Sequence, residues 1–185
     1  MREPGTQSEE RLLARVAAGD EAAFRDLYER THRRLYYYLL RLLADPSDAE
    51  DVLVETFTEV WRCAKKFRGR SRATTWMVGI GRNLAMNRRR RTQTHVSLET
   101  LADPPGEGGV DLAGADRRRV LRAALARLSP KHWEVLDLVF YQGLHYREAA
   151  EVLSIPENTV KTRVFYAKDA LRKALAEMGV RRDDL

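Results

Sequence analysis

HYREAAEVLSIPENTVKTRVFYAKDALRKAL, residues 145–175, decides the fold class. Residues 146–153 read as a short helix with Ala149, Ala150 and Leu153 turned inward, and the two alanines let a second helix cross closely. Ser154-Ile155-Pro156 makes a turn anchored by a buried Ile155. Pro156 suits the start of a helix, where its missing N–H breaks no bond. From about Glu157 a second helix puts Val160, Val164, Ala167 and Leu171 on one apolar stripe. Its other side carries Asn158, Thr162, Phe165 and Tyr166, flanked by Thr159, Lys161 and Arg163. Lysine and arginine reach guanine edges or phosphates, and asparagine pairs with adenine. The plan is that of a helix-turn-helix whose second helix fits a major groove. An ordinary helical hairpin is the alternative, and it leaves the mixed basic and aromatic face unexplained.

Working upstream, LARLSPKHWEVLDLVFYQGL (125–144) predicts a helix capped by Ser129 before Pro130, with Leu136, Val139 and Phe140 as its apolar face. Before it, residues 92–116 are rich in turn formers and poor in aromatics. So long a structureless stretch inside one domain is unusual, so it reads as a flexible linker. The rest is dominated by Leu, Ala, Arg and Glu, good helix formers, with almost no strand-like alternation. The expected fold is all-α, two helical domains joined by a linker. Residues 1–23 form a tail and the start of the first helix, 24–91 the first domain, 117–178 the second, and 179–185 a C-terminal tail.

In the first domain charge is sorted by position. Between residues 45 and 59 every charged residue is acidic; between 62 and 98 every one is basic. At about 100° per residue, Asp48, Asp51, Glu55 and Glu59 fall on one helix stripe, opposite Leu53, Phe57, Val60, Trp61 and Ala64. A solvated face is the plain explanation, and Asp48 and Asp51 sit near a helix N-terminus, where carboxylates are favoured. With no lysine or arginine beside them in sequence, the row points instead to a docking surface for a basic partner.

The basic stretch KKFRGRSRATTWMVGIGRNLAMNRRRR (65–91) interleaves Phe67 and Trp76 with cations around Gly69. Cations attract phosphates, aromatic faces stack on unpaired bases, and a base drawn from a duplex needs a pocket to receive it. A flexible loop over residues 68–75, followed by a helix bearing Arg82, Asn83 and Asn87, provides one. Met77 and Ile80 read as core; Trp76 fits core or pocket. Residues 88–91 are four successive arginines, which repel one another unless an anion is near. Arg82, Arg88 and Arg89 are expected on phosphates.

The chain has 185 residues, 44% apolar and 32% charged, with 33 Lys and Arg against 27 Asp and Glu, a net charge of +6. That suffices for a packed core and leans toward a polyanionic partner. One cysteine, Cys63, excludes an intrachain disulfide. His32, His95, His132 and His145 lack metal-ligand spacing, so no metal is expected. Neither a glycine-rich phosphate loop nor a nucleophile–base pair is legible, and GIGRN (79–83) follows no strand; catalytic residues and cofactors are expected to be none. No apolar run approaches the roughly 20 residues of a membrane span, and the N-terminus lacks a signal core, so the expected location is cytoplasmic, with no membrane insertion.

Three segments, DAEDVLVETFTEVW (48–61), residues 67–91 and residues 128–171, together resemble the extracytoplasmic-function sigma factors, the smallest class of bacterial sigma-70-type initiation factors. The resemblance spans about residues 23–175. It implies a first domain like sigma region 2, in which Asp48, Asp51, Glu55 and Glu59 dock on the β′ clamp helices of core RNA polymerase. Phe67, Arg68, Arg70, Trp76, Arg82, Asn83, Asn87, Arg88 and Arg89 would open the −10 element of promoter DNA. Asn83 stands where the family has a base-pocket asparagine. The second domain would be like sigma region 4, on the β flap, with Asn158, Thr159, Lys161, Thr162, Arg163, Phe165 and Tyr166 reading the −35 element. The linker would thread toward the polymerase active site, and an anti-sigma factor would hold the protein inactive. The chain would be a non-catalytic subunit. Four positions depart from the family pattern: Val54 for a polar residue, Arg70 for an acidic one, His145 for a Ser or Thr cap, and Ser154 for a turn glycine. A stand-alone regulator using the helix-turn-helix alone is the competing reading, and it has no use for the acidic row.

Overall fold

The structure, a computed structural model, describes residues 8–92 and 112–180. Among the described residues the chain is helical with no strand, and it divides into two units, residues 1–102 and 103–185.

In the first unit, Ser8 caps α1 (Glu9–Ala17), and Leu12, Leu13 and Val16 are buried on its inner face. Expected as a tail and the start of the first helix, this stretch holds a complete helix over residues 9–17. Apolar residues at i, i+1 and i+4 behind a serine cap make an amphipathic helix, and the core takes it up. The first seven residues lie outside those described. Asp20 caps α2 (Glu21–Leu43), accepting the Ala23 N–H at 3.0 Å and Arg15 Nε–H at 2.8 Å. Those two bonds hold its carboxyl below the usual range. Asp45 and Pro46 start α3 (Pro46–Cys63), which runs into a 3-10 turn (Ala64–Lys66). After a bend, α4 (Ala73–Thr92) follows.

Helix α3 packs against both α2 and α4, so its buried arc is wider than a single stripe. Ala49, Val52 and Thr56 join Leu53, Phe57, Val60 and Ala64 inside, while Trp61, expected inward, is 38% exposed. Trp61 sits at the rim of the seam, its ring edge-on to Phe24 at 5.2 Å. Met77 is buried as expected; Ile80 is half-buried.

The two glycines of GIGRN part ways in α4. A Cβ on Gly81 would meet Leu35 Cδ1 at 3.2 Å and Thr56 Oγ1 at 3.3 Å, whereas one on Gly79 would meet nothing within 4 Å. Gly81 is therefore the close-approach point of α4 on α2 and α3. Gly81→Val is expected to cost about 1–3 kcal/mol by overpacking. Gly79→Ala should be neutral or stabilise by up to about 1 kcal/mol through helix propensity. Thermal melts should place Gly81→Val below the native chain and Gly79→Ala at or above it.

In the second unit, α5 (Leu112–Ala126) begins inside the stretch expected to be linker; residues 93–111 lie outside those described. Ser129 caps α6 (Pro130–Leu136), which continues as a π-helical turn (Asp137–Tyr141) closed by Gln142 N–H on the Asp137 carbonyl at 2.9 Å. The wider turn rotates the register. Trp133, Val135, Leu136 and Leu138 are buried, Val139 is half-buried, and Phe140, expected inward, is 58% exposed with Lys168 Nζ 4.8 Å from its ring centre.

Helix α7 (Tyr146–Leu153) buries Ala149, Ala150 and Leu153. The carboxylate of Glu148 reaches back to accept the His145 N–H at 2.8 Å, which explains how histidine is accepted at this helix start. The helix closes on Ser154 at φ 55° and ψ 45°, the left-handed region where a turn glycine has no steric cost. Ser154→Gly is expected to raise stability by about 1 kcal/mol, read as a shifted denaturation midpoint with unchanged DNA binding. Ile155 is half-buried rather than buried, its N–H bonded to the Ala150 carbonyl at 3.1 Å. Helix α8 (Glu157–Glu177) buries Val160, Val164 and Ala167. Leu171 is half-buried against a cluster of Ala124, Ala174 and Leu175.

Candidate functional site

Three surfaces carry the candidate residues. On α3 the side chains of Asp51 and Glu55 are 59% and 55% exposed, and those of Asp48 and Glu59 are 26% and 35% exposed. The row faces outward from the core. It is not unaccompanied, as the run of sequence suggests. Arg88, from α4, places Nε 2.9 Å from Asp48 Oδ1, one Nη 2.7 Å from Asp51 Oδ2, and the other 3.7 Å from Glu55 Oε1. Arg62 pairs with Glu59 at 2.8 Å. Three carboxylates on one guanidinium still leave that cluster negative. Val54, at 66% exposure, stands beside the row as a small apolar patch.

The basic surface is built by the bend at residues 67–72 and by α4. The bend is shorter than expected: α4 starts at Ala73, with Thr75 buried, because α1 caps it. Glu10 Oε1 accepts the Ala73 N–H at 3.2 Å, and Glu9 accepts the Thr74 hydroxyl while pairing with Arg34 at 3.1 Å. Burial pushes the Glu10 carboxyl up, but its own N–H, the Ala73 N–H, Ser8 and Arg72 outweigh that and leave it below the ordinary value. The stabilisation it gives is therefore present above the ordinary carboxylate range and is lost as pH falls through the lowered value. The sequence reading missed these two glutamates; their signal was the capped helix around Leu12 and Leu13.

Phe67 and Trp76 are both half-buried and touch each other, ring centres 5.5 Å apart, so they bracket the bend. Arg68 and Arg70 are exposed beside Gly69, which adopts φ +66°. Along α4, Trp76, Asn83 and Asn87 lie within about 20° of one line, and both asparagines are exposed. Arg90 donates to Asn87 Oδ1. Arg82 is half-buried and Arg89 exposed, on the flank away from α3. Arg88 is the exception among the expected phosphate contacts: it is turned onto α3, because its place on the helix faces the carboxylate row.

On α8, Asn158, Lys161 and Thr162 are exposed, Thr159 and Arg163 half-buried, and Phe165 and Tyr166 are 69% and 57% exposed. The two rings meet edge to face at 5.5 Å. Lys161 Nζ pairs with Glu157 at 2.8 Å, and the Thr162 hydroxyl donates to the Asn158 carbonyl at 2.9 Å. Aromatic rings held out from a helix amid cations have no core to fill; they suit contact with base edges and methyl groups in a groove.

The pattern of Sigma-70 region 2 matches residues 27–95, and that of Sigma-70, region 4 matches residues 124–173. The chain is 36% identical to the ECF RNA polymerase sigma factor SigL of Mycobacterium tuberculosis over 92% of this chain and all of the relative. It is 33% identical to the ECF RNA polymerase sigma factor SigK of Mycobacterium bovis over 89% of this chain and 91% of the relative. Among solved structures, the sigma factor RpoE of Bartonella quintana, in complex with the anti-sigma factor NepR, gives a TM-score of 0.65 at 26% identity, covering 83% of this chain and 96% of that one. CnrH, in complex with the cytosolic domain of CnrY, gives 0.66 at 22% identity over 92% and 99% and shares the fold.

Proposed function

Because this chain belongs to the extracytoplasmic-function sigma factors of the sigma-70 family, we propose that its two helical units divide promoter recognition between them. The chain is a sigma factor: it directs core RNA polymerase to specific promoters and opens the −10 region for initiation. In our reading the outward carboxylate row on α3 docks on the β′ clamp helices. Phe67, Arg68, Arg70, Trp76, Asn83 and Asn87 receive the unpaired −10 strand, with Arg82 and Arg89 on its phosphates. The exposed face of α8 reads the −35 element, its unit also meeting the β flap. Strand opening draws on binding energy, with phosphodiester synthesis left to the polymerase, so the chain acts as a non-catalytic subunit in the cytoplasm. No helix among the described residues is long and apolar enough to cross a membrane. An anti-sigma factor is the proposed inhibitory partner, by likeness to RpoE with NepR.

The observation that carries this reading is the pairing, within one small unit, of an outward acidic row on α3 with an outward aromatic and asparagine stripe on α4. A stand-alone DNA-binding regulator needs the α8 face and has no use for the first two. Run-off transcription with purified core polymerase on fragments of the source genome tests it. Transcripts starting at discrete sites only when the chain is added are the expected result; none on any template would overturn it.

A further inference from the structure

We propose that Arg88 is a built-in competitor for the docking face, displaced when core polymerase binds and handed over to promoter phosphate. The inference rests on the reading that the α3 carboxylates dock on a basic surface of the polymerase. Its own ground is the fork of Arg88 on Asp48, Asp51 and Glu55 at 2.9, 2.7 and 3.7 Å. The guanidinium sits where a partner's cation would have to sit, and it comes from the helix proposed to hold DNA. Both Arg88 and Asp48 keep about a quarter of their side-chain surface in solvent, at 27% and 26%. The bridge is therefore partly hydrated and cheap to exchange, as ion pairs open to solvent are.

A second cation arriving at the row cannot share all three carboxylates with Arg88 without placing like charges side by side. Released, Arg88 lies one residue from Arg89 near the end of α4, about 100° around the helix from Asn87. The two binding events are then coupled: docking frees a phosphate contact, and phosphate at that position favours docking.

The test uses the full chain, core polymerase and a promoter fragment, with Arg88→Ala, Arg88→Lys and the double variant Asp51→Lys, Glu55→Lys. Circular dichroism first establishes that each variant folds; Arg88→Lys keeps the charge and loses the fork. Removing the competitor should raise affinity for core about two- to fivefold. The same Arg88→Ala change should weaken holoenzyme binding to promoter and reduce the slope of log affinity against log salt by about 0.9, one phosphate contact. Arg88→Lys should restore the slope. Core affinity that is unchanged or lowered in Arg88→Ala overturns the proposal, because Arg88 is then a fixed brace or a plain surface charge. An unchanged salt slope overturns it too. If the double charge reversal binds core as tightly as the native chain, the docking reading itself has failed. If the reversal abolishes binding and Arg88→Ala gains nothing, the competitor alone has failed.

Discussion

Reversing Asp51 and Glu55 to lysine is expected to abolish transcription while leaving the fold and the second unit intact. Both side chains are more than half exposed and outside the core of the first unit; the reversal also sets two lysines beside Arg88, so the double variant should fold but melt somewhat below the native chain, by about 1–2 kcal/mol. Against a basic partner the change replaces attraction with like-charge repulsion, which costs several kcal/mol at an interface. At about 1.4 kcal/mol per factor of ten, that is at least a hundredfold loss of affinity for core polymerase. The measurement is a titration of labelled chain with core, backed by run-off transcription. Near-native affinity would remove the acidic row from the docking surface and favour a regulator that works through α8 alone.

The second large effect lies in α1. Leu12 and Leu13 are fully buried, and α1 packs on both α2 and α4. Leu13→Ala is expected to destabilise the first unit by about 2–5 kcal/mol through lost burial and the cavity left behind. Deleting residues 1–18 removes that core and the Glu9 and Glu10 caps on α4 together, and should leave the first unit unable to fold. Denaturant unfolding of each variant in a Trp133→Phe background, so that only Trp61 and Trp76 of the first unit emit, reads both. A native-like transition in the deleted chain would return α1 to the status of a tail.

Much of the architecture was legible because it is written locally. The helix-turn-helix showed in the spacing of Ala149, Ala150, Val160 and Val164, and the acidic row in the period of Asp48, Asp51, Glu55 and Glu59. What escaped depended on contacts distant in the chain. Arg88 lies 37 residues from Asp51, and no run of sequence tells which face of α4 meets α3. Glu10 lies 63 residues from Ala73, so its capping of α4 could not be read from either segment. Phe140 falls outside the expected face for another reason: it lies within a π-helical turn, whose wider spacing shifts the register from Asp137 on, and nothing in DLVFY announces it. Trp61 was misplaced because one stripe was expected, whereas α3 is gripped from two sides.

The role assigned to α4 turns on where the duplex opens and what opens it. Permanganate reactivity of unpaired thymines around the −10 element, on a promoter found by run-off transcription, measures this. Reactive thymines are expected with the holoenzyme and with neither core nor the chain alone. The variant Trp76→Ala, Asn83→Ala is expected to lose that reactivity while footprint protection at the −35 element persists. Opening by that variant to the native extent, or opening by the chain without polymerase, would contradict it.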